Sequence, residues 1–419
     1  MVTRLLAAAA VSALVAVPTA QAQTTITMMH VEQNPAISAY WNDIARRFEA
    51  AHPGVKMDLQ YLENESYKKK MPTLLQSSDR PQIIYSWGGG VMREQIKAGA
   101  IMDLSTAVDA NWKSRFSEAA VQAYTIDGKM WGVPMHTSQV GFFYNRDLFT
   151  KAGVDGDAIK TWDDLLGTIP KFKAAGIVPI TAGGADKWPL HFYWTHLAVR
   201  IGGKQAIEDA MAGKGKGFAS ETFVRAGEMF KQLVDLQPFQ PGVLGATYPQ
   251  SSGQFGDGRA AMVLQGNFVL NSMRANSADK KGLPDDKLGW FAFPSVPNGK
   301  GDLSDTLGGL NGWLVTKGAP KEAIEFLRFF SQADNQRIAA ERGFYIPIVH
   351  GTADAIQSPH LRRVAENVGK SRYHQIFYDQ ALGPSVGQVV NDISAEIAAG
   401  RVTPAKAAES VNQAWQLAN

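Results

Sequence analysis

Cysteine is absent from all 419 residues. That excludes a disulfide framework, a thiol nucleophile and any thiolate metal site. An excess of either charge is missing too: 42 Lys and Arg face 39 Asp and Glu, a formal net charge of +3. Such a balance leaves no electrostatic footprint for nucleic acid. The longest basic cluster, Lys68-Lys69-Lys70, reads as a solvated helix face. Enzyme signatures are missing as well. There is no Gly-x-Ser-x-Gly, so no nucleophile elbow, and no phosphate-cradling Walker loop. Gly88-Gly89-Gly90 lacks the spacing of a dinucleotide fingerprint. His191 and His196 lie five apart without a His-Glu-x-x-His pattern, which argues against zinc. Adjacent acids, Asp163 with Asp164 and Asp285 with Asp286, read as helix caps rather than a glycosidase pair. No catalytic residue, metal or cofactor is implied.

What is present fits a large folded protein. The chain is 45% apolar and long enough for more than one domain. Aromatics reach 10%, with ten tryptophans, a composition that favours ring-stacking ligands slightly. Residues 1–22 read as a secretory leader: a positive start at Arg4, an apolar run from Leu5 to Val17, then Ala20-Gln21-Ala22 as a cleavage site. The expected cut falls between Ala22 and Gln23. Neither this run nor any later one reaches membrane-spanning length.

Local patterns set the elements. Thr24 to Met29 reads as a strand, Ser38 to His52 as a helix with Trp41, Ile44, Ala45 and Phe48 on one face, and Val55 to Leu62 as a second strand. This succession implies a parallel sheet with a right-handed crossover. A helix over Tyr67 to Ser77 and a strand over Pro81 to Ser86 follow. Asp127-Gly128-Lys129 predicts a hairpin, Val140 to Tyr144 a buried strand, and Asn145 to Phe149 a turn into a short helix. Thr161 fits a helix N-cap with Asp163 and Asp164 in the first turn. Helical spacing dominates 161–273, Leu288 to Pro297 reads as a strand, Asn298 to Asp305 as an exposed loop, and a helix pair closes the chain from about Ser385.

The stretch from Asp127 to Asp164 closely resembles the segment of ABC-transporter extracellular solute-binding proteins, the maltose-binding-protein-like sugar group of family 1, where the chain crosses between lobes. Phe255-Gly256-Asp257-Gly258-Arg259-Ala260-Ala261-Met262 and Gly308-Gly309-Leu310-Asn311-Gly312-Trp313-Leu314-Val315 resemble that family too. The resemblance covers nearly all of the chain after the leader. It implies an α/β fold of two lobes, each a mostly parallel sheet flanked by helices and joined by hinge crossovers. Lobe one is expected at 23–135 plus 308–350, and lobe two at 136–307 plus 351–419. It further implies a monomeric periplasmic receptor that binds a sugar, an oligosaccharide or glycoside, and delivers it to membrane permease subunits with their ATPase. Without cysteine there is no lipid anchor.

A sugar offers a flat C–H face and a rim of hydroxyls. Aromatic rings stack on the face, while polar loop ends at sheet strands satisfy the rim. Glu32 and Asn34 follow the first strand, although Asn34 equally suits a helix cap. Glu63 follows the second strand, and capping competes there as well. Trp87 beside Gly88 is the leading stacking candidate, with core packing as the alternative. His136 sits at the crossover. The family places a Trp near the ligand in the loop ending Asp186-Lys187-Trp188, which favours Trp188, with His191 nearby, over the core position Trp194. Asn267, Asn311, Trp313 and Tyr345 complete the candidates. Two other readings stay open: a same-fold receptor for a non-sugar such as a glycerol phosphodiester or polyamine, and a secreted carbohydrate-active enzyme.

Overall fold

The computed structural model describes residues 23–419, so the expected leader and its cleavage lie outside the described residues. Twelve strands are found among them: β1 Thr24–His30, β2 Val55–Tyr61, β3 Ile83–Ser86, the hairpin β4 Thr125–Ile126 and β5 Lys129–Met130, β6 Gly132–Asn145, β7 Val178–Ile180, β8 Ala260–Gly266, β9 Leu288–Phe291, β10 Thr306–Val315, β11 Ile346–Pro347 and β12 His374–Ile376. The main path runs β2-β1-β3-β10-β6-β8-β7. Pairing is parallel between β1 and both β2 and β3, and between β7 and β8. It turns antiparallel at the two crossover strands, where β10 meets β3 and β6, and β6 meets β8. Gly132 to Gln139 of β6 pairs with β10, and Val140 to Tyr144 with β8, so one strand serves both halves. Every residue of β6 is buried except His136, which is half-buried. A strand covered on both faces reads as a continuous apolar run.

Two large apolar clusters lie on either side of this crossover. One gathers Ile37, Trp41, Ile44 and Phe48 of helix α1 (Pro35–Ala51) with Met28, Trp313, Phe326 and Phe330. The other gathers Trp162, Phe172, Trp194, Phe230, Val390 and Ile393. Each fully buried large side chain stabilises by roughly 1.5–3 kcal/mol relative to exposure. The architecture is the expected two-lobed α/β type.

Local chemistry explains where elements start and stop. Helix α1 begins three residues before the expected Ser38, because the Asn34 side chain accepts from Ala36 N–H at 2.8 Å and Pro35 supplies a preset φ. Helix α2 (Asn64–Leu74) likewise begins early: the Glu63 carboxylate accepts from Glu65 and Ser66 N–H. Asp127 and Gly128 both have positive φ, 52° and 74°, as a two-residue hairpin turn requires. Thr161 and Asp164 form a capping box. The strand expected to reach Pro297 ends at Phe291, since Pro294 and Pro297 cannot donate to a ladder. Helix α3 (Gly89–Lys97) opens on glycines of necessity: a Cβ on Gly89 would lie 2.8 Å from the Gln380 carbonyl, and one on Gly90 2.7 Å from that of Ala381. These two close approaches bring the C-terminal segment to the edge of the site.

Candidate functional site

A cleft of about 1220 Å³, open space included, lies between the two cores. Strand ends and helix starts line it. β1 delivers Glu32 and Gln33, β2 delivers Tyr61 and Glu63, β3 delivers Trp87, and β6 and β10 deliver His136 and Asn311. From the other side come Asp186 and Trp188 at the start of helix Trp188–Met211, Tyr248, Asn267 with Phe268, and Asp379 with Gln380.

Two tryptophans stand on different walls, both half-buried. Trp87 touches both cores, its ring edge-on to Tyr67 and Tyr85 at centroid distances of 5.7 and 5.1 Å, with the Lys68 ammonium 5.6 Å away. Trp188 leans on Tyr248 at 4.8 Å and on Phe192 and Phe268. The residue before it, Lys187, holds a positive φ of 62°. A non-glycine residue in that region is uncommon and concentrates near functional sites.

Polar groups complete the lining. Glu32 Oε1 accepts from Asn34 N–H at 2.7 Å, and burial pushes the Glu32 carboxyl up to about 7. His136 stacks on Tyr345 at 5.0 Å, with Nε2 3.3 Å from the Tyr85 hydroxyl and 3.4 Å from Asn311 Nδ2. Burial lowers its imidazole to about 4, so it is neutral near pH 7. Asn311 lies at a bulge where the β10–β6 register shifts, which re-aims its side chain. Asp186 accepts from Tyr248 N–H at 2.6 Å; burial, and then the carboxylates of Glu65 and Glu63, raise it. On the floor, Asp379 lies 2.9 Å from Lys68 Nζ and 3.5 Å from His191 Nε2. Burial alone would raise the Asp379 carboxyl, but Lys68 and His191 outweigh it and hold it well below the usual range. Trp41 Nε1, His136 Nδ1, Tyr248 Oη, Asn311 Oδ1 and Tyr345 Oη are buried without a well-aligned hydrogen-bond partner, although Ser272 neighbours Tyr248 and Trp41 neighbours Tyr345, and all five residues line the cleft. An unpaired buried polar atom costs roughly 1–3 kcal/mol.

Nine of the twelve sequence candidates line this space: Glu32, Glu63, Trp87, His136, Trp188, His191, Asn267, Asn311 and Tyr345. Some have structural duties besides. Asn267 Oδ1 accepts from Gln139 N–H at 2.9 Å, tying β8 to β6, and His191 is fully buried with Nδ1 on Thr195. Three do not line it. Trp313 is fully buried and packs edge-on against Trp41 and Tyr85, so it is a core residue. The Asn34 carboxamide is spent on capping α1. Gly88, at φ +70°, turns the chain behind Trp87, its N–H on Ser86 Oγ.

The basic cluster also needs correcting. Lys69 and Lys70 are exposed, but Lys68 turns inward between Glu65 and Asp379. Tyr61, Asp186, Tyr248, Phe268 and Asp379 were missed. Asp186 lies two residues before Trp188, and its place after Gly183-Gly184 was the available signal. Tyr248 and Asp379 enter from distant segments, and no local pattern marks them.

An aromatic-walled polar cleft between two α/β lobes defines the class of two-lobed solute receptors. The chain belongs to the bacterial extracellular solute-binding proteins, whose family model matches residues 33–337. It is 24% identical over 379 residues to an uncharacterized ABC transporter extracellular-binding protein of Pyrococcus horikoshii, covering 88% of this chain and 82% of that one. To the multiple sugar-binding protein of Streptococcus mutans it is 21% identical, covering 74% and 71%. Among solved structures, a chitin oligosaccharide binding protein superposes with a TM-score of 0.85 at 25% identity, covering 94% of this chain and 99% of that one.

Proposed function

We propose that this protein is the substrate-binding component of an ABC importer and takes a sugar, an oligosaccharide or glycoside, into the cleft. The observation that carries the reading is the cleft itself: Trp87 and Trp188 on different walls, with the hydrogen-bonding side chains of Tyr248, Asn311 and Tyr345 around them. Rings stack on a sugar face while those atoms satisfy its hydroxyls. Relatives named for sugars support the same choice.

The lobes are 23–135 plus 308–350 and 136–307 plus 351–419, a division supported by the two largest cores, with a smaller third cluster carrying Ala340 and Ile346 across it. Ligand draws them together by hinge rotation, stabilising the closed state only through its higher affinity for that state. The closed monomer then docks on permease subunits driven by their ATPase. The protein is exported by the leader at 1–22 and works in the periplasm without a lipid anchor. Binding and closure are the whole function, with no bond made or broken. A glycerol phosphodiester suits the cleft poorly, because Lys68, the one lysine lining it among the described residues, already faces Asp379 and Glu65.

A thermal-shift screen over mono- and oligosaccharides tests this, with reducing-end assays on the same mixtures. A sugar that raises the melting temperature and stays intact is expected. Silence across sugars with a shift from an unrelated solute, or release of new reducing ends, would defeat the reading.

A further inference from the structure

The charge of the cleft is one-sided. Among the described residues four carboxylates line it, Glu32, Glu63, Asp186 and Asp379, against the single lysine, Lys68. That lysine is already committed: its Nζ lies 2.9 Å from Asp379 and 3.2 Å from Glu65. No salt bridge reaches Glu32, Glu63 or Asp186 among the described residues. Glu63 spends both oxygens on the start of α2. Glu32 and Asp186 each hold one backbone N–H, from Asn34 and Tyr248, and keep their remaining acceptor capacity.

A second, independent feature sits beside Asp186. Tyr248 gives its N–H to Asp186, lays its ring 4.8 Å from Trp188 and 6.0 Å from Phe268, and is nine-tenths buried, its hydroxyl near Ser272 but without a well-aligned partner. Carboxylates next to a cluster of ring faces make a setting for an ammonium group, which each attracts.

Resting on the sugar reading above, we infer that the sugar taken by this cleft carries protonated amines, one received by Asp186 beside the Trp188–Tyr248 rings and another by Glu32 on the opposite wall, and that uronates are excluded. Closing on a ligand expels water, and carboxylates without a counter-charge are then costly. A neutral hydroxyl donates a hydrogen bond but leaves the charge in place; an ammonium donates and cancels it. A uronate adds another negative charge. Burial raises Glu32 to about 7, and burial with the Glu65 and Glu63 carboxylates raises Asp186, so an arriving ammonium also draws each carboxyl into its charged form.

The test is titration calorimetry of the full mature chain at pH 6.5 with three tetrasaccharides: glucosamine units from chitosan, N-acetylglucosamine units from chitin, and galacturonate. The glucosamine tetramer is expected to bind at least about tenfold more tightly than the acetylated one, and galacturonate to give no heat. In the double variant Glu32→Gln with Asp186→Asn, that ratio falls to near one. Should the pair fold poorly by thermal melting, Glu32→Gln alone is expected to lower the ratio severalfold. Equal or tighter binding of the acetylated tetramer, or binding of galacturonate, overturns the inference. So does binding of some neutral sugar alone, although the sugar reading then survives. Binding of spermidine with silence from every sugar overturns both.

Discussion

Lys68 Nζ lies 2.9 Å from Asp379 Oδ2, joining α2 to the C-terminal segment across the floor of the cleft. Asp379 is 8% exposed, so its carboxylate depends on that cation. Lys68→Met is expected to cost about 2–4 kcal/mol in urea unfolding, near the range for stranding one partner of a buried pair. Adding Asp379→Asn recovers much of it. Because Asp379 is held low, its contribution is complete above the unfolded carboxyl value of about 4 and is lost as pH falls below it. An unchanged midpoint in the single variant would show the bridge to be idle.

Trp313 and Trp188 separate folding from binding. Trp313→Ala removes a fully buried ring and is expected to cost about 3–5 kcal/mol of stability. Trp188→Ala, at a half-buried position, is expected to cost less than about 2 kcal/mol and to weaken sugar binding at least about tenfold. Paired melting and affinity measurements decide it. The reverse pattern would move Trp313 into the site.

Trp87 is a mixed case. It touches both cores as well as the cleft, so Trp87→Ala is expected to lower both affinity and melting temperature. Trp87→Phe is expected to restore most of the stability and only part of the affinity. A variant with full affinity would make the ring purely structural.

Acid titration carries a sign. Burial holds His30 and His136 at about 4, below the unfolded value near 6.5. The stability they confer is present above pH 6.5 and drains as pH falls toward 4. Glu32 works oppositely: raised to about 7, it penalises the fold increasingly as pH climbs from its unfolded value near 4.3 through 7. Urea midpoints from pH 4 to 8 are expected to show His136→Gln flattening the acid limb. Glu32→Gln is expected to raise stability at pH 8 and change nothing at pH 4.

Periodicity and turn chemistry made the scaffold legible. The face of α1, the Asp127-Gly128 hairpin and the Thr161 cap all follow from spacing and side-chain type alone. Residues at strand ends were legible for the same reason, since loops after parallel strands converge on a cleft. Trp313 was misassigned because β10 is buried on both faces, and an apolar strand does not show which side its rings take. Lys68 was misassigned because its partner lies 311 residues away. Tyr248 and Asp379 depend on the same kind of long-range convergence.

The most direct trial is titration calorimetry of the wild type and of the double variant Trp87→Ala with Trp188→Ala, using whichever oligosaccharide stabilises the wild type most. A single site per chain is expected, with binding reduced at least about a hundredfold when both rings are gone. Undiminished affinity in the double variant would contradict the account, because the guest would then lie outside this cleft.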